Sequence, residues 1–525
     1  MSSGNQNGTA PNAHRLLWAG FMAILAAGVG FSVRAGILGQ WAEQFGFTMT
    51  ELGAITGGGL TGFGIVIIAT SLVADKIGYG KLMLLAFFLH LISALITLAA
   101  PWAFATGGKD QAFLCLSLGM FLFSIGNGLA EAVVNPLTAT LFPKEKTHYL
   151  NILHAGWPAG LVVGGIASAM MAAKVDENGA VIQNAVDWKI QMSLFLIPVV
   201  IYGVMLLGQR FPKSEAAAAG ATLGEMVGTL FAPLMIILLV IHAMVGYVEL
   251  GTDSWIAKIT GSIMASPSKG LVLFVYTSTL MFILRFFAGP IVHRISPLGL
   301  LFVSSILGVV GLTLLGTATT VKFCAIAATI YALGKTFLWP TMLAVVSERF
   351  PKGGAVSIGM LGGVGMLSAG LLGGPAIGFQ QDANASKELQ QTSEATFQRY
   401  KASEPSRFLG YETVGLDGAK VGVLEDNGKE LDRVVELLRS EDREDKYYAS
   451  LESWWQEASP FASDDRPIVQ EATIYGGQTA LKLTAYVPAT MAVLFLCLIL
   501  GFQATGGYKA VVLEESPESQ GTAES

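Results

Sequence analysis

Eight ionisable side chains stand inside long apolar stretches of this 525-residue chain. A charged group in apolar surroundings is costly unless it is paired, hydrogen-bonded or hydrated. Such residues therefore mark the places where charges pair or where a polar molecule passes through the fold. They are Arg34, Glu131, His154, His242, Glu249, Asp253, Arg285 and Lys335.

Glu131 and Lys335 are the first candidates for binding chemistry. They lie near the middle of the fourth and the tenth apolar stretch, which correspond to each other in an internal repeat. We expect both side chains to face one central cavity, where they bind a solute, couple its movement to an ion, or pair with each other. The alternative is a structural ion pair that only fixes the packing of helices.

A second set of charges is predicted to form a gate. In the repeat with an offset of 216 residues, Arg34 corresponds to position 250, which is next to Glu249. Asp253 follows Glu249 by four residues. We hypothesise that Arg34 bonds to Glu249 or Asp253 and that opening of the site breaks this bond. Arg285 is expected near the end of its helix, reaching toward the polar surface. His242 is expected to bond a neighbouring carbonyl.

The apolar stretches themselves define the class of fold. Hydrophobic residues make up 52% of the chain and charged residues only 13%, whereas a typical soluble protein has about 25% charged residues. A helix needs ~20 apolar residues to cross a bilayer. We therefore predict an all-α membrane protein with twelve transmembrane helices. The stretches are 15–38, 52–74, 82–104, 112–141, 149–173, 190–208, 231–256, 270–292, 298–318, 322–347, 355–379 and 482–504.

Three short motifs recur in the same order in the two halves of the chain, at offsets of 216, 218 and 208 residues. They begin at Val29 and Val245, at Asp75 and His293, and at Phe142 and Phe350. The recurrence predicts two pseudo-symmetric six-helix bundles that face each other across a central site. The predicted parts are an N-terminal tail (1–14), a first bundle (15–208), a linker (209–230), a second bundle (231–379 and 482–504), an insert (380–481) and an acidic tail (505–525).

Lysine and arginine residues are unevenly distributed between alternate connections. Nine lie in the connections on the side of the N-terminus and six lie in those on the other side. The positive-inside rule then predicts that both termini are cytoplasmic and that the insert lies outside the cytoplasm. We expect a monomer, surrounded by lipid, in the plasma or inner membrane.

The insert between the last two helices is polar and interrupts the pattern. Residues 411–414 and 421–424 predict two strands joined by a turn, and residues 428–458 predict an amphipathic helix. We expect a small folded α+β unit, because an apolar helix face needs a surface to pack against. The alternative is a decorated or partly disordered loop.

A tight turn after the second helix carries Asp75, Lys76, Gly78 and Lys81, and a degenerate copy after the eighth helix ends at Arg294. Such a turn can pair charges with a neighbouring helix end and so hold one conformation. This acidic-basic-glycine-basic signature resembles that of the major facilitator superfamily. The resemblance covers roughly residues 15–379 and 482–504 and implies the fold of that superfamily.

A narrower resemblance lies in helices four and five. Residues 128–136 and 150–154 look like the fucose and glucose permease branch, whose members are sugar:proton symporters. The resemblance implies that Glu131 is the proton-linked or substrate-binding carboxylate and that His154 is a hydrogen-bonding group in the cavity. Proton-coupled members of that branch also carry an acid in helix one, where Arg34 is the nearest ionisable residue here. The other residues expected to contact the solute are Asn127, Asn135 and Trp157.

We therefore expect a secondary transporter that moves a small polar solute, with a sugar as first choice, by alternating access coupled to a proton or to sodium. An organic anion is the alternative substrate, because Arg34, His154 and Lys335 could supply positive charge. A protein of a different class, a membrane sensor that binds solute without moving it, would carry the same residues.

Several classes of function are not indicated by the sequence. It has no phosphate-binding glycine loop, no metal-spaced His/Cys cluster and no nucleophile elbow, so we expect no enzyme, metal or cofactor. It also lacks a basic patch with interleaved aromatic residues, so a nucleic-acid partner is not expected.

Overall fold

The computed structural model describes residues 10–47, 49–57, 59–172, 174–175, 181–183, 185–440 and 445–513. Within them, twelve helical segments are long and apolar enough to cross a membrane, so the predicted helix count is confirmed. Residues 1–9 and 514–525, which form most of the predicted terminal tails, lie outside the described part of the chain.

The first half of the chain contributes spans 1 to 6. Gly108, with a φ of +70°, turns the chain between spans 3 and 4 inside one assigned helix, so span 4 begins after it. The helices are Ala13–Phe45 in span 1, Met49–Gly57 and Gly59–Ser71 in span 2, Tyr79–Leu98 in span 3, Ala100–Leu141 in spans 3 and 4, Lys146–His154 and Gly156–Met171 in span 5, and Trp188–Ser193 and Leu196–Leu206 in span 6.

The second half contributes spans 7 to 12. Ser296, with a φ of +65°, turns the chain between spans 8 and 9, so span 8 continues well past Arg285. The helices are Pro233–Gly246, Tyr247–Gly251 and Thr252–Ile263 in span 7, Pro267–Arg285 in span 8, Ala288–Leu315 in spans 8 and 9, Val321–Lys335 and Leu338–Arg349 in span 10, Pro351–Gly353, Gly354–Ser368, Ala369–Gly373 and Gly374–Thr392 in span 11, and Ala462–Thr484 and Tyr486–Ala504 in span 12.

Two short turns of π-helix interrupt spans 7 and 11 and pack against each other. They are Tyr247–Gly251 and Ala369–Gly373. Glycines allow this approach: a Cβ on Gly246 would overlap the carbonyl oxygen of Gly365, and one on Gly251 would lie 2.7 Å from the Cα of Gly373. Since π-turns are frequent at functional sites, the middle of span 7 is a candidate functional region.

Polar contacts join the two halves at the end of the bundle that carries the termini. Lys146 Nζ, at the start of span 5, donates to Glu215 Oε2 at 2.7 Å and to the Ser347 carbonyl of span 10 at 3.2 Å. Thr147 Oγ1 donates to Glu348 Oε1 at 3.1 Å. Spans 5 and 10 are therefore held together at this end.

The linker between the halves contains short helices and is tied to span 11. Lys352 Nζ lies 2.7 Å from Glu225 Oε1. Hydrogen bonds from Lys352 and from Thr222 lower the pKa of Glu225 to about 2, so this contact persists over the physiological pH range. The linker elements are Glu215–Ala218, Leu223–Gly228 and Thr229–Phe231.

A small hairpin, which was not predicted, lies between spans 5 and 6. Its strands β1 (Lys174–Val175) and β2 (Val181–Gln183) are antiparallel. It lies at the end of the bundle opposite to the termini.

The insert is a folded α+β unit, as predicted, but the predicted strand pairing is wrong. Strand β3 (Ser406–Phe408) pairs with strand β4 (Tyr411–Thr413), whereas residues 421–424 belong to the helix Gly418–Asp426. The reason is a helix cap: the Asp417 side chain accepts hydrogen bonds from the backbone N–H groups of residues 419 and 420, at 3.0 and 3.2 Å. The cap starts a helix where β-branched residues had suggested a strand.

The predicted amphipathic helix of the insert consists of two helices, Lys429–Ser440 and Lys446–Ala458, and residues 441–444 lie outside the described chain. A further helix, Glu394–Tyr400, and a short turn, Ser459–Phe461, complete the unit. The helices Glu394–Tyr400 and Gly418–Asp426 and the hairpin β3–β4 pack on extensions of spans 11 and 12, whose helices run past the predicted boundaries at 379 and 482. The helices Lys429–Ser440 and Lys446–Ala458 pack on Gly418–Asp426 and on each other.

The close approach of spans 7 and 11 just before their π-turns predicts a strong sensitivity to added volume. Replacing Gly246→Ala forces a Cβ into the Gly365 carbonyl, and we expect it to destabilise the fold by about 1–3 kcal/mol. Thermal unfolding of the detergent-purified protein measures this. The matched control is Gly224→Ala, since a Cβ at Gly224 meets no atom within 4 Å; equal stability of the two variants would contradict the packing described here.

Candidate functional site

A small cavity of about 30 Å³ lies between the two halves. Eight spans contribute to its wall, namely spans 1, 2, 4, 5, 7, 8, 10 and 11. Its lining mixes apolar groups with a small number of polar ones, which is typical of small-molecule sites. The lining residues are Ala23, Ile24, Ala27, Phe63, Asn127, Ala130, Glu131, His154, Trp157, Glu249, Leu250, Arg285, Trp339 and Met366.

Glu131 and His154 lie side by side on the wall formed by the first half. Asn135 connects them: its Nδ2 donates to Glu131 Oε1 at 3.3 Å, and its Oδ1 lies 2.8 Å from His154 Nε2. The direct distance from His154 Nε2 to Glu131 Oε1 is 3.6 Å. Glu131 is only 5% exposed. Among the described residues it forms no direct ion pair with a lysine or arginine, although Arg285 lines the same cavity and acts on it electrostatically.

Arg285 connects the two halves at the cavity. Its side chain is 1% exposed, and each of its three nitrogens makes a hydrogen bond. Nε donates to the Thr336 carbonyl of span 10 at 2.9 Å, Nη1 to the His154 carbonyl of span 5 at 2.5 Å, and Nη2 to Glu249 Oε1 of span 7 at 2.9 Å. The expectation that Arg285 reaches toward the polar surface is wrong, because span 8 continues beyond it to Ser296.

Two prolines explain why Arg285 finds carbonyls to bind. Proline has no backbone N–H and cannot bond the carbonyl four residues before it. Pro158 thus frees the carbonyl of His154, and Pro340 frees that of Thr336, at the breaks in spans 5 and 10. Arg285 satisfies both freed carbonyls, one in each half of the chain.

Glu249 lies on the π-turn of span 7 and lines the cavity. Its Oε1 is held by Arg285, whereas its Oε2 has no hydrogen-bond partner among the described residues. The cavity thus contains two carboxylates. Glu249 forms an ion pair with Arg285, whereas Glu131 forms no ion pair with a lysine or arginine of the described chain.

Lys335 does not face Glu131, contrary to prediction. It forms a short ion pair with Asp253 of span 7, and its Nζ lies 5.4 Å from the centre of the Tyr331 ring. The repeat explains the error: Phe142 and Phe350 end their helices with nearly equal dihedral angles, φ −128° with ψ 63° and 53°. Their offset of 208 places Trp339, and not Lys335, opposite Glu131.

The predicted gate is also not formed, since Glu249 and Asp253 have other partners. Arg34 lies inside the first bundle, with its guanidinium carbon 3.9 Å from the centre of the Phe123 ring. Its Nη1 donates to the Gly30 carbonyl at 3.2 Å, and its other two nitrogens have no partner among the described residues. A cation–π contact replaces the predicted ion pair.

A hydrogen-bonded chain leads from the cavity into the first bundle. Asn127 Oδ1 lies 3.0 Å from His90 Nε2, and His90 Nδ1 lies 2.8 Å from Tyr202 OH. The sequence analysis missed His90, although it is the one ionisable side chain in the third apolar stretch. It orients Asn127, whose Nδ2 has no partner in the described chain.

Aromatic rings complete the cavity wall. Trp157 lies 5.4 Å from Phe31, and Trp339 lies 4.6 Å from His242, measured between ring centres. The carbonyl partner expected for His242 is not found among the described residues. The indoles on spans 5 and 10 offer two apolar faces to a solute.

The signature turn lies at the end of the bundle that carries the termini. Gly78 adopts a φ of +94°, which glycine tolerates best. Burial raises the pKa of Asp75. The remaining signature residues, Lys76, Lys81 and Arg294, are exposed at the same end.

Twelve spans in two halves, closed around a polar central cavity, are the architecture of a membrane carrier. Residues 20–374 match the Major Facilitator Superfamily, and the chain belongs to this superfamily, which confirms the predicted resemblance. No curated protein sequence matches the chain.

Solved structures agree on the fold. The bacterial homologue of the human lysosomal transporter Spinster, inward-facing and unoccupied, is 13% identical, with 93% of this chain and 97% of that chain covered and a TM-score of 0.60. The human organic anion transporter MFSD10 is 13% identical, with 93% of this chain and 100% of that chain covered and a TM-score of 0.57. The Escherichia coli fucose:proton symporter FucP is 16% identical, with 69% of this chain and 90% of that chain covered and a TM-score of 0.55. At these identities the likeness establishes the fold alone.

The bonds of Arg285 predict a characteristic pattern in a double-mutant cycle. Either Arg285→Gln or Glu249→Gln leaves one buried charge unpaired and should destabilise the protein by about 3–5 kcal/mol. The double variant should cost clearly less than the sum of the two. Thermal unfolding of the purified variants measures the coupling.

The control cycle uses Arg407 and Glu412, which pair at 2.8 Å but are 72% and 55% exposed. There we expect coupling of at most about 1 kcal/mol. Additive effects at Arg285 and Glu249 would contradict the role assigned to this bridge.

Proposed function

We propose that the protein is a secondary transporter that moves a neutral polyhydroxylated solute, a sugar or a polyol, coupled to a proton. The observation that supports this most is Glu131, a buried carboxylate that faces the cavity and has no direct ion-pair bond to the one arginine there, Arg285, which is bonded to Glu249. An ionised carboxylate in such a place is costly, and a bound proton removes the cost. Glu131 would thus both contact the solute and bind the coupled proton.

The lining of the cavity favours a solute with hydroxyl groups and one apolar face. Carboxylate, imidazole and amide groups of Glu131, His154 and Asn127 can accept or donate hydrogen bonds to hydroxyls. The indoles of Trp157 and Trp339 can cover the C–H face of a sugar ring. In the conformation described here the cavity of about 30 Å³ has room for water but not for a sugar. We therefore infer that the two halves separate to admit the solute.

An organic anion, the alternative substrate, is less well supported by these contacts. Arg285 lines the cavity, but three of its five N–H donors are engaged and its charge is paired with Glu249. Lys335 pairs with Asp253, and Arg34 lies inside the first bundle. The cation on the described cavity wall is thus already paired with a carboxylate.

Alternating access requires that the two halves move about this site. We infer that Arg285, Glu249 and the contacts of Lys146 hold the conformation described here, and that solute and proton together shift the balance of these bonds. Cytoplasmic termini, a plasma or inner membrane location and a monomeric state remain part of this proposal, as the distribution of lysine and arginine predicts.

A substitution at Glu131 tests the proposal. A thermal-shift screen of sugars, polyols, amino acids and carboxylates first selects a solute, which is then followed in proteoliposomes. With Glu131→Gln we expect solute exchange by counterflow to persist, whereas accumulation driven by a proton gradient falls at least about tenfold. The reason is that glutamine retains the hydrogen bonds of the site but carries no titratable proton.

The control is Glu225→Gln, an exposed carboxylate on the linker, which should leave both activities unchanged. A sodium gradient that drives uptake in the absence of a proton gradient would reject proton coupling. Binding without any counterflow in the unmodified protein would reject transport altogether and favour the membrane sensor.

A further inference from the structure

A second cavity, of about 450 Å³, lies within the insert and shares no lining residue with the central site. One wall is a single face of the helix Gly374–Thr392, with lining residues spaced three or four positions apart. The other wall is the segment around Lys401 and the end of strand β4. Its polar lining residues are Ser386, Lys387, Gln390, Lys401, Ser403 and Thr413.

The charge of this cavity is opposite to that of its surroundings. The insert 380–481 contains 20 acidic and 11 basic residues, a net charge of −9. None of the described residues that line the cavity is acidic, and two of them, Lys387 and Lys401, are cations. Neither lysine has an ion-pair partner in the described part of the chain. In an acidic domain, two unpaired lysines on one cavity favour a negatively charged ligand at this place.

A buried hydroxyl points to the same class of ligand. Ser386 is 5% exposed and lines the cavity, yet its Oγ has no hydrogen-bond partner among the described residues. Buried polar groups are normally satisfied. The Oγ atom itself is inaccessible in this conformation, and we infer that it turns toward an acceptor that enters the cavity. It lies next in sequence to Lys387 and can act with it.

The walls of the cavity are held in place by backbone and side-chain bonds. Lys401 forms a β-bridge with Leu416, and the N–H of Ala402 donates to the Gly415 carbonyl at 2.8 Å. Ser406 Oγ donates to Asp382 Oδ2 at 2.9 Å, which ties strand β3 to the helix that carries Ser386. The two lysines are thus presented from fixed backbones on opposite walls.

We propose that this cavity binds an oxyanion, the carboxylate or phosphate group of a small molecule, between Lys387, Lys401 and Ser386. Two ammonium groups and a hydroxyl supply charge-assisted donors from both sides. The site is separate from the central cavity and does not depend on the proposed transport function.

Isothermal titration of the full-length purified protein with inorganic phosphate and with succinate tests the proposal. Binding of either probe, weaker at high ionic strength, is the expected result, and the preferred probe identifies the group recognised. In the double variant Lys387→Gln/Lys401→Gln the affinity should fall at least about tenfold, because two charge-assisted bonds are lost. The variant Lys387→Arg/Lys401→Arg should keep most of the affinity of the unmodified protein. The variant Ser386→Ala should lower the affinity, but by less than the double glutamine variant does.

The matched control removes two exposed lysines of the insert outside the cavity, in Lys429→Gln/Lys446→Gln. It makes the same change in net charge and should leave the affinity unchanged. An equal loss in the control would overturn the proposal, as would the absence of binding of both probes. Neither outcome would affect the test at Glu131, which is read from solute flux.

Discussion

The central region of this protein depends on one buried guanidinium. Arg285 binds acceptors on three other spans, and these come from both halves of the chain: the carbonyls of His154 and Thr336 and the carboxylate of Glu249. Only arginine offers several donors in one fixed plane, so no other side chain could hold all three acceptors at once. In a membrane, a carbonyl freed by proline must find a donor within the protein. The helix breaks in spans 5 and 10 are therefore tolerated because Arg285 is there.

The other irregularities of the backbone gather around the same cavity. A regular helix satisfies its own backbone groups and offers a solute nothing but side chains. Here spans 5 and 10 break at prolines, and spans 7 and 11 widen into π-turns that contact each other through glycines. Each feature costs stability where it occurs, and each places a polar group or an interruption of a helix near the cavity. Such clustering is expected of a site whose walls must change shape.

Much of the fold could be predicted because its signals are local. An apolar stretch predicts a spanning helix by itself, and a charge inside such a stretch indicates a site because its burial is costly. The twelve spans and the cavity residues Glu131, His154 and Asn127 could therefore be predicted. Where two local signals compete, prediction fails. In the insert, the β-branched residues at 421 and 423 suggested a strand, but the Asp417 cap decided for a helix. The hairpin β1–β2 is too short to leave a clear pattern in the sequence.

The pairing of charges could not be predicted, because it depends on register between distant spans. The offset of 208 defined by Phe142 and Phe350 brings Trp339 opposite Glu131, and Lys335 lies one helical turn away, where it meets Asp253. That single turn determines the electrostatics of the cavity. With Lys335 beside Glu131, the carboxylate would be permanently neutralised and the site would be closed by its own ion pair. With an indole in that place, Glu131 has hydrogen-bonding neighbours and no direct ion pair with a lysine or arginine among the described residues, while Arg285 of the same cavity is bonded to Glu249.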